Sequence, residues 1–86
     1  MMITTKTVEE KLAAYIRHKI TMEQLVDWAE TAMMEGQFDP KQMRKIRNVV
    51  SRLSLADVRA FGLTWEDCEK MLKQLGYTAR VEIARV

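Results

Sequence analysis

Cysteine, histidine and proline each occur once in these 86 residues, glycine occurs three times, and aromatic residues make up 7% of the chain. Each scarcity excludes something. The single cysteine, Cys68, leaves no internal disulfide and no CxxC metal knuckle, and the single histidine, His18, leaves no two-histidine zinc arrangement. The three glycines, Gly36, Gly62 and Gly76, each follow an apolar periodic segment and read as helix stops, so none remains for a phosphate-cradling loop. No window of 18 uncharged apolar residues exists, and Met1 to Lys6 contain no apolar run that would serve as an export signal. With a lone cysteine, these features set the expectation of a cytoplasmic chain that needs no metal or cofactor and contacts no membrane.

What is present is ordinary globular composition, 48% apolar and 30% charged. We expect one domain over residues 1–86, burying roughly 60 to 65% of the surface its unfolded chain exposes. The net charge is only +2, but it is unevenly spread. Residues 21–40 carry Glu23, Asp27, Glu30, Glu35 and Asp39 and no base, whereas residues 41–59 carry Lys41, Arg44, Lys45, Arg47, Arg52 and Arg59 against Asp57 alone. Any electrostatic function should therefore sit in the middle third.

Helix starts are marked by a capping side chain with an acid or amide three residues later. Thr7 with Glu10, Thr21 with Gln24, Asp39 with Gln42, Ser54 with Asp57 and Thr64 with Asp67 have this spacing. Pro40 falls where the first turn tolerates a missing N–H. The pattern predicts helices at about 7–19, 21–35, 39–53, 54–61 and 64–75. Each has one apolar stripe, among them Met43, Ile46, Val49, Val50 and Leu53, then Leu55, Val58 and Phe61, then Trp65, Cys68, Met71, Leu72 and Leu75. Beyond Gly76 the period changes to two, and Tyr77, Ala79, Val81 and Ile83 alternate with polar residues as in a half-buried strand. Its partner is expected to be Ile3-Thr4-Thr5 or another chain. The predicted fold class is thus mainly α, a compact five-helix domain with one C-terminal β-strand.

Residues 54–75 resemble a helix-turn-helix, with Phe61, Gly62, Leu63, Cys68 and Met71 at the positions that wedge two such helices together. A preceding helix and a following strand extend the likeness toward winged-helix domains. The sequence departs from that pattern at Asp57, where the motif is apolar, and in having one terminal strand where a wing needs a hairpin. It departs also at Glu66, Asp67 and Glu69, which would face the phosphates a reading helix approaches. We therefore read the pair as a packing motif.

Two sets of candidate site residues follow. Trp28 and Met34 fit the apolar stripes least well, and with the strand residues Tyr77, Arg80, Val81 and Ile83 they form a candidate partner-binding set. Lys41, Arg44, Lys45, Arg47 and Arg52 form a basic helix face that could neutralise phosphates, although no aromatic lies in it to stack on bases. The plainer reading of that face is a solvated one, matched in part by Glu23, Asp27 and Glu30 of the preceding helix. Cys68 lies on an apolar stripe between Asp67 and Glu69, which would raise a thiol pKa and spoil a nucleophile. The sequence as a whole reads as a non-enzymatic protein–protein interaction module or self-associating protein, adaptor-like or antitoxin-like by analogy of size alone. The alternative is a nucleic-acid-binding domain using the basic helix at 40–53 and the helix-turn-helix-like pair.

Overall fold

In a computed structural model of the protein, residues 2–57 and 63–77 are described. Among them the chain forms β1 (Met2–Ile3), α1 (Thr5–Ile16), α2 (Met22–Glu35), β2 (Gln37–Phe38), α3 (Met43–Leu53) and α4 (Trp65–Gln74). It is a compact, mainly α domain with four helices and one small parallel sheet among the described residues.

Threonine opens three of those helices by reciprocal capping, in which a side chain accepts from a first-turn amide and a side chain three residues on accepts from the cap's own N–H. The N–H of Gln24 donates to Thr21 Oγ1 at 3.1 Å while Thr21 N–H donates to Gln24 Oε1 at 2.9 Å. Asp67 N–H donates to Thr64 Oγ1 at 3.1 Å and Thr64 N–H to Asp67 Oδ2 at 3.0 Å. Both pairs have the predicted spacing. For α1 the prediction starts three residues too late: the cap is Thr4, and Thr7 stands at the third helical position, its hydroxyl accepting from Thr4 N–H at 3.1 Å. A threonine there serves as a glutamate would.

The predicted start of the basic helix at Asp39 is also corrected. Asp39 Oδ1 accepts from Lys41 N–H at 3.1 Å, and Gln42 N–H donates to the Asp39 carbonyl at 3.1 Å. Asp followed by Pro is the signature of a type I turn, and here it satisfies these amides in a turn before the helix begins. α3 then starts at Met43 behind Gln42, which makes no side-chain cap bond.

Helix ends follow the left-handed closure in two places. At α4, Gly76 has φ +92°, its N–H donates to Lys73 O at 3.0 Å, and Tyr77 N–H donates to Leu72 O at 2.8 Å. This is the Schellman pattern predicted for Gly76, with Tyr77 packed on the core. At α1 the left-handed residue is His18 at φ 60°, with His18 N–H on Tyr15 O at 3.0 Å and Lys19 N–H on Ala14 O at 2.8 Å. The helix therefore stops at Ile16 instead of 19. Gly36 behaves differently from the expectation. Its φ of −76° and ψ of 150° are extended, and the absent side chain serves close packing, because a Cβ there would run into Ile3 Cδ1 and come within 2.6 Å of Ala32 O.

That close packing belongs to the sheet. β1 pairs in parallel with β2 through Met2↔Gln37 and Ile3↔Phe38, and Asp39 N–H donates to Ile3 O at 2.9 Å. Among the described residues the partner of Ile3 is thus a segment read as a helix-to-helix connection. The predicted strand from 78 onward, with Arg80, Val81 and Ile83, lies outside the described residues, as does Gly62. The fifth helix, expected at 54–61, is not shown. Residues 54–57 are turns in which Leu55 N–H donates to Arg52 O and Ala56 N–H to Leu53 O, tightening the end of α3, and 58–61 lie outside the described residues. The Ser54 hydroxyl, expected to cap that helix, donates back to Ser51 O at 2.6 Å.

The core gathers Ile3 of β1, Val8 and Leu12 of α1, Leu25, Ala29 and Ala32 of α2, Ile46, Val49, Val50 and Leu53 of α3, and Cys68, Met71 and Leu72 of α4. The predicted stripes supply nearly all of these. Met43, Leu55 and Trp65, also assigned to stripes, are instead exposed at 45, 43 and 38%. Met43 and Trp65 are the first residues of their helices and Leu55 lies in a turn, where helical periodicity no longer sets the face.

Candidate functional site

α3 and α4 flank a groove of about 520 Å³. α3 contributes Arg44, Lys45, Asn48, Val49 and Arg52, spaced along one side of the helix at three- and four-residue steps. α4 contributes Asp67, Lys70, Met71 and Gln74 by the same rule. Buried Val49 and Met71 form an apolar floor, and the long polar side chains form the walls. The groove exists because each helix turns its apolar stripe to the core and carries its charged residues on the flank facing the other.

Four cations and one carboxylate meet here. Arg52 Nη2 stands 3.6 Å from Asp67 Oδ2, with both side chains about 30% exposed, so solvent screens the pair. Asp67 is already committed to opening α4. The backbone and side-chain hydrogen bonds of Thr64 hold its carboxyl below its ordinary pKa of 3.8, and Arg52 and Lys70 add smaller attractions. Among the described residues Arg52–Asp67 is the ion pair within 4.0 Å; Arg44, Lys45 and Lys70 have none there. Among the described residues the groove is therefore an electropositive surface whose one acid is occupied.

The structure brings together three of the five predicted basic residues, Arg44, Lys45 and Arg52. Lys41 lies in the turn before α3 and Arg47 is exposed on α3 outside the groove lining. Lys70 completes the cluster and was missed, since reading one helix at a time does not show which face of α4 lies beside α3. The spacing of Asp67, Lys70 and Gln74 along the edge of the Cys68–Met71 stripe was the available signal. The acidic face Glu23, Asp27, Glu30 does not match the basic one within the chain: all three are exposed and form no ion pair among the described residues.

The candidate partner-binding residues are dispersed. Trp28 is half-buried against the core, with Lys11 Nζ 5.7 Å from its ring centroid. Met34 is 78% exposed, the most exposed large apolar side chain among those described. Tyr77 closes α4, while Arg80, Val81 and Ile83 lie outside the described residues. A smaller cavity of about 190 Å³ lies between the end of α1 and the start of α4, lined by Tyr15, Ile16, His18, Leu63, Thr64, Trp65 and Cys68. Burial first, and the Asp67 charge second, push the Cys68 thiol above its ordinary pKa of 9.0, away from the thiolate a nucleophile requires. Among the described residues no group of three or more His, Cys, Asp or Glu is placed to hold a metal ion, and no helix is long and apolar enough to cross a membrane.

Fold and groove together define a class, a small mainly α domain with a cationic cleft between two helices. Comparison with protein-family models, with curated proteins and with solved structures gives no match to this chain.

Proposed function

We propose that this protein is a small non-catalytic binding module and that the groove between α3 and α4 receives an acidic segment of a protein partner. One observation carries the reading: Arg44, Lys45, Arg52 and Lys70 converge from two helices over an apolar floor, and the one carboxylate among them is engaged in capping. Cations above buried Val49 and Met71 suit a ligand that alternates acidic and apolar side chains. A duplex fits less well. Glu66, Asp67 and Glu69 cluster at the start of α4, where a reading helix would approach phosphates, and among the described residues that line the groove there is no aromatic to stack on a base. A chain whose lone thiol is buried is suited to the reducing cytoplasm, where we place it.

Fluorescence anisotropy with a labelled glutamate-rich peptide tests the proposal, with duplex and single-stranded DNA of equal charge as competitors. The peptide should bind, and Arg44→Ala combined with Lys45→Ala should weaken it by roughly tenfold or more, as loss of two groove contacts implies. Peptide binding unaffected by that double substitution would remove the groove as the site. Tighter binding of duplex, with a log-log salt slope near −0.9 per phosphate contact, would assign the groove to nucleic acid instead.

A further inference from the structure

Three acids of the sequence charge pattern, all on α2, have no partner among the described residues. Glu23, Asp27 and Glu30 are exposed on α2, and among the described residues their carboxylates form no ion pair and accept no hydrogen bond. Four residues beyond Glu30 stands Met34, 78% exposed. Positions 23, 27, 30 and 34 are spaced by four, three and four, so at 100° per residue they fall within an arc of about 60° on one face of α2. The feature that best explains so exposed a methionine is therefore the line of acids it ends: three carboxylates followed by an apolar tip.

We propose that this stripe of one copy docks into the α3–α4 groove of another, so that the chain associates head to tail. The inference rests on the groove being a receptor for acidic segments and names one such segment. Chemistry and dimensions agree. Glu23 to Glu30 rises about 10.5 Å along α2, and Arg44 to Arg52 rises about 12 Å along α3, so carboxylates and cations are laid out over nearly the same length. Lys70 supplies a cation from the opposite wall, and the floor of Val49 and Met71 gives an unbranched methionine an apolar surface to settle on. Stripe and groove lie on different helices of the same chain. Docked head to tail, the contact is heterologous and leaves each pair of copies with one unused stripe and one unused groove. Most of the attraction is between exposed charges, so it weakens once the screening length falls below the spacing of the facing rows.

Sedimentation velocity on the full chain tests this with two complementary variants. The stripe variant carries Glu23→Gln, Asp27→Asn and Glu30→Gln and keeps the groove; the groove variant carries Arg44→Gln and Lys45→Gln and keeps the stripe. Wild-type protein should self-associate at about 20 mM salt and lose roughly tenfold or more in association constant by about 300 mM. Each variant alone should sediment as a monomer, and an equimolar mixture should form a complex that stops at two chains. Met34→Ala should weaken wild-type association by roughly fivefold. Formation of the mixed pair itself shows that both variants are folded. A monomeric wild type at low salt, either variant associating alone as the wild type does, or a mixture that stays monomeric would each overturn head-to-tail docking. The stripe variant must also bind the glutamate-rich peptide: peptide binding without a mixed pair overturns the self-docking and leaves the groove as a receptor, whereas loss of peptide binding by both wild type and stripe variant overturns the groove itself.

Discussion

Replacing Gly36 by alanine sets two physical effects of opposite sign against each other. The backbone there is extended, with φ −76° and ψ 150°, so alanine meets no conformational penalty, and a less flexible unfolded chain would by itself stabilise the fold by about 0.4 to 1 kcal/mol. The packing predicts the reverse. A Cβ would collide with Ile3 Cδ1 and stand 2.6 Å from Ala32 O. Ile3 is fully buried among the core side chains and has little room to swing aside. Ala32 O accepts the Gly36 N–H at 2.9 Å, so displacing it disturbs the final turn of α2. Overpacking of this kind costs about 1 to 3 kcal/mol, which outweighs the gain from the unfolded state. At about 4 to 8 °C per kcal/mol for a domain of this size, the melting temperature followed by far-UV circular dichroism should fall by roughly 5 to 20 °C. Ile3→Val, which removes the colliding methyl, should cost about 0.5 to 1.5 kcal/mol in the wild type and less than that in the Gly36→Ala background. Gly36→Ala as stable as the wild type, or more so, would refute the close approach of β1 to the end of α2.

His18→Gly should raise stability by about 1 kcal/mol, since glycine relieves the left-handed strain that closes α1, and Gly76→Ala should lower it by a similar amount; urea midpoints with unchanged m-values check both. Asp67 has its pKa depressed in the folded protein, chiefly by the Thr64 hydrogen bonds, so its contribution is present above pH 3.8 and is lost as pH falls through the lower, folded value. Stability measured across the acid range should therefore fall less steeply in Asp67→Asn than in the wild type, and equal slopes would contradict the capping role. Cys68, buried and with its thiol pushed above 9.0, should react with a neutral disulfide reagent at least about 100-fold more slowly in native buffer than in denaturant, and rapid native labelling would place it on the surface.

Features that act within a turn or two of chain were legible in the residue order. Thr21 with Gln24 and Thr64 with Asp67 each complete a capping box inside one helical turn, and Gly76 closes α4 with Tyr77 packed behind it, so the signal and the structure it makes occupy the same few residues. The apolar stripes, and with them most of the core and the mainly α class, were legible because helical period alone fixes which side chains share a face. Even locally, competing chemistries hid some answers: Asp39 before Pro40 suits a cap and a turn alike, and Thr7 serves as readily at the third position of a helix as before its first. The remaining features came from packing between distant segments. Ile3 pairs beside Phe38 and packs over Gly36 across more than thirty residues of intervening chain, and Lys70 joins Arg44, Lys45 and Arg52 only because α4 lies beside α3. The reason is one of range. Capping, turn chemistry and periodicity are set by neighbours along the chain and leave their mark in the residue order, whereas a close approach or a shared groove depends on which faces of distant segments are buried together.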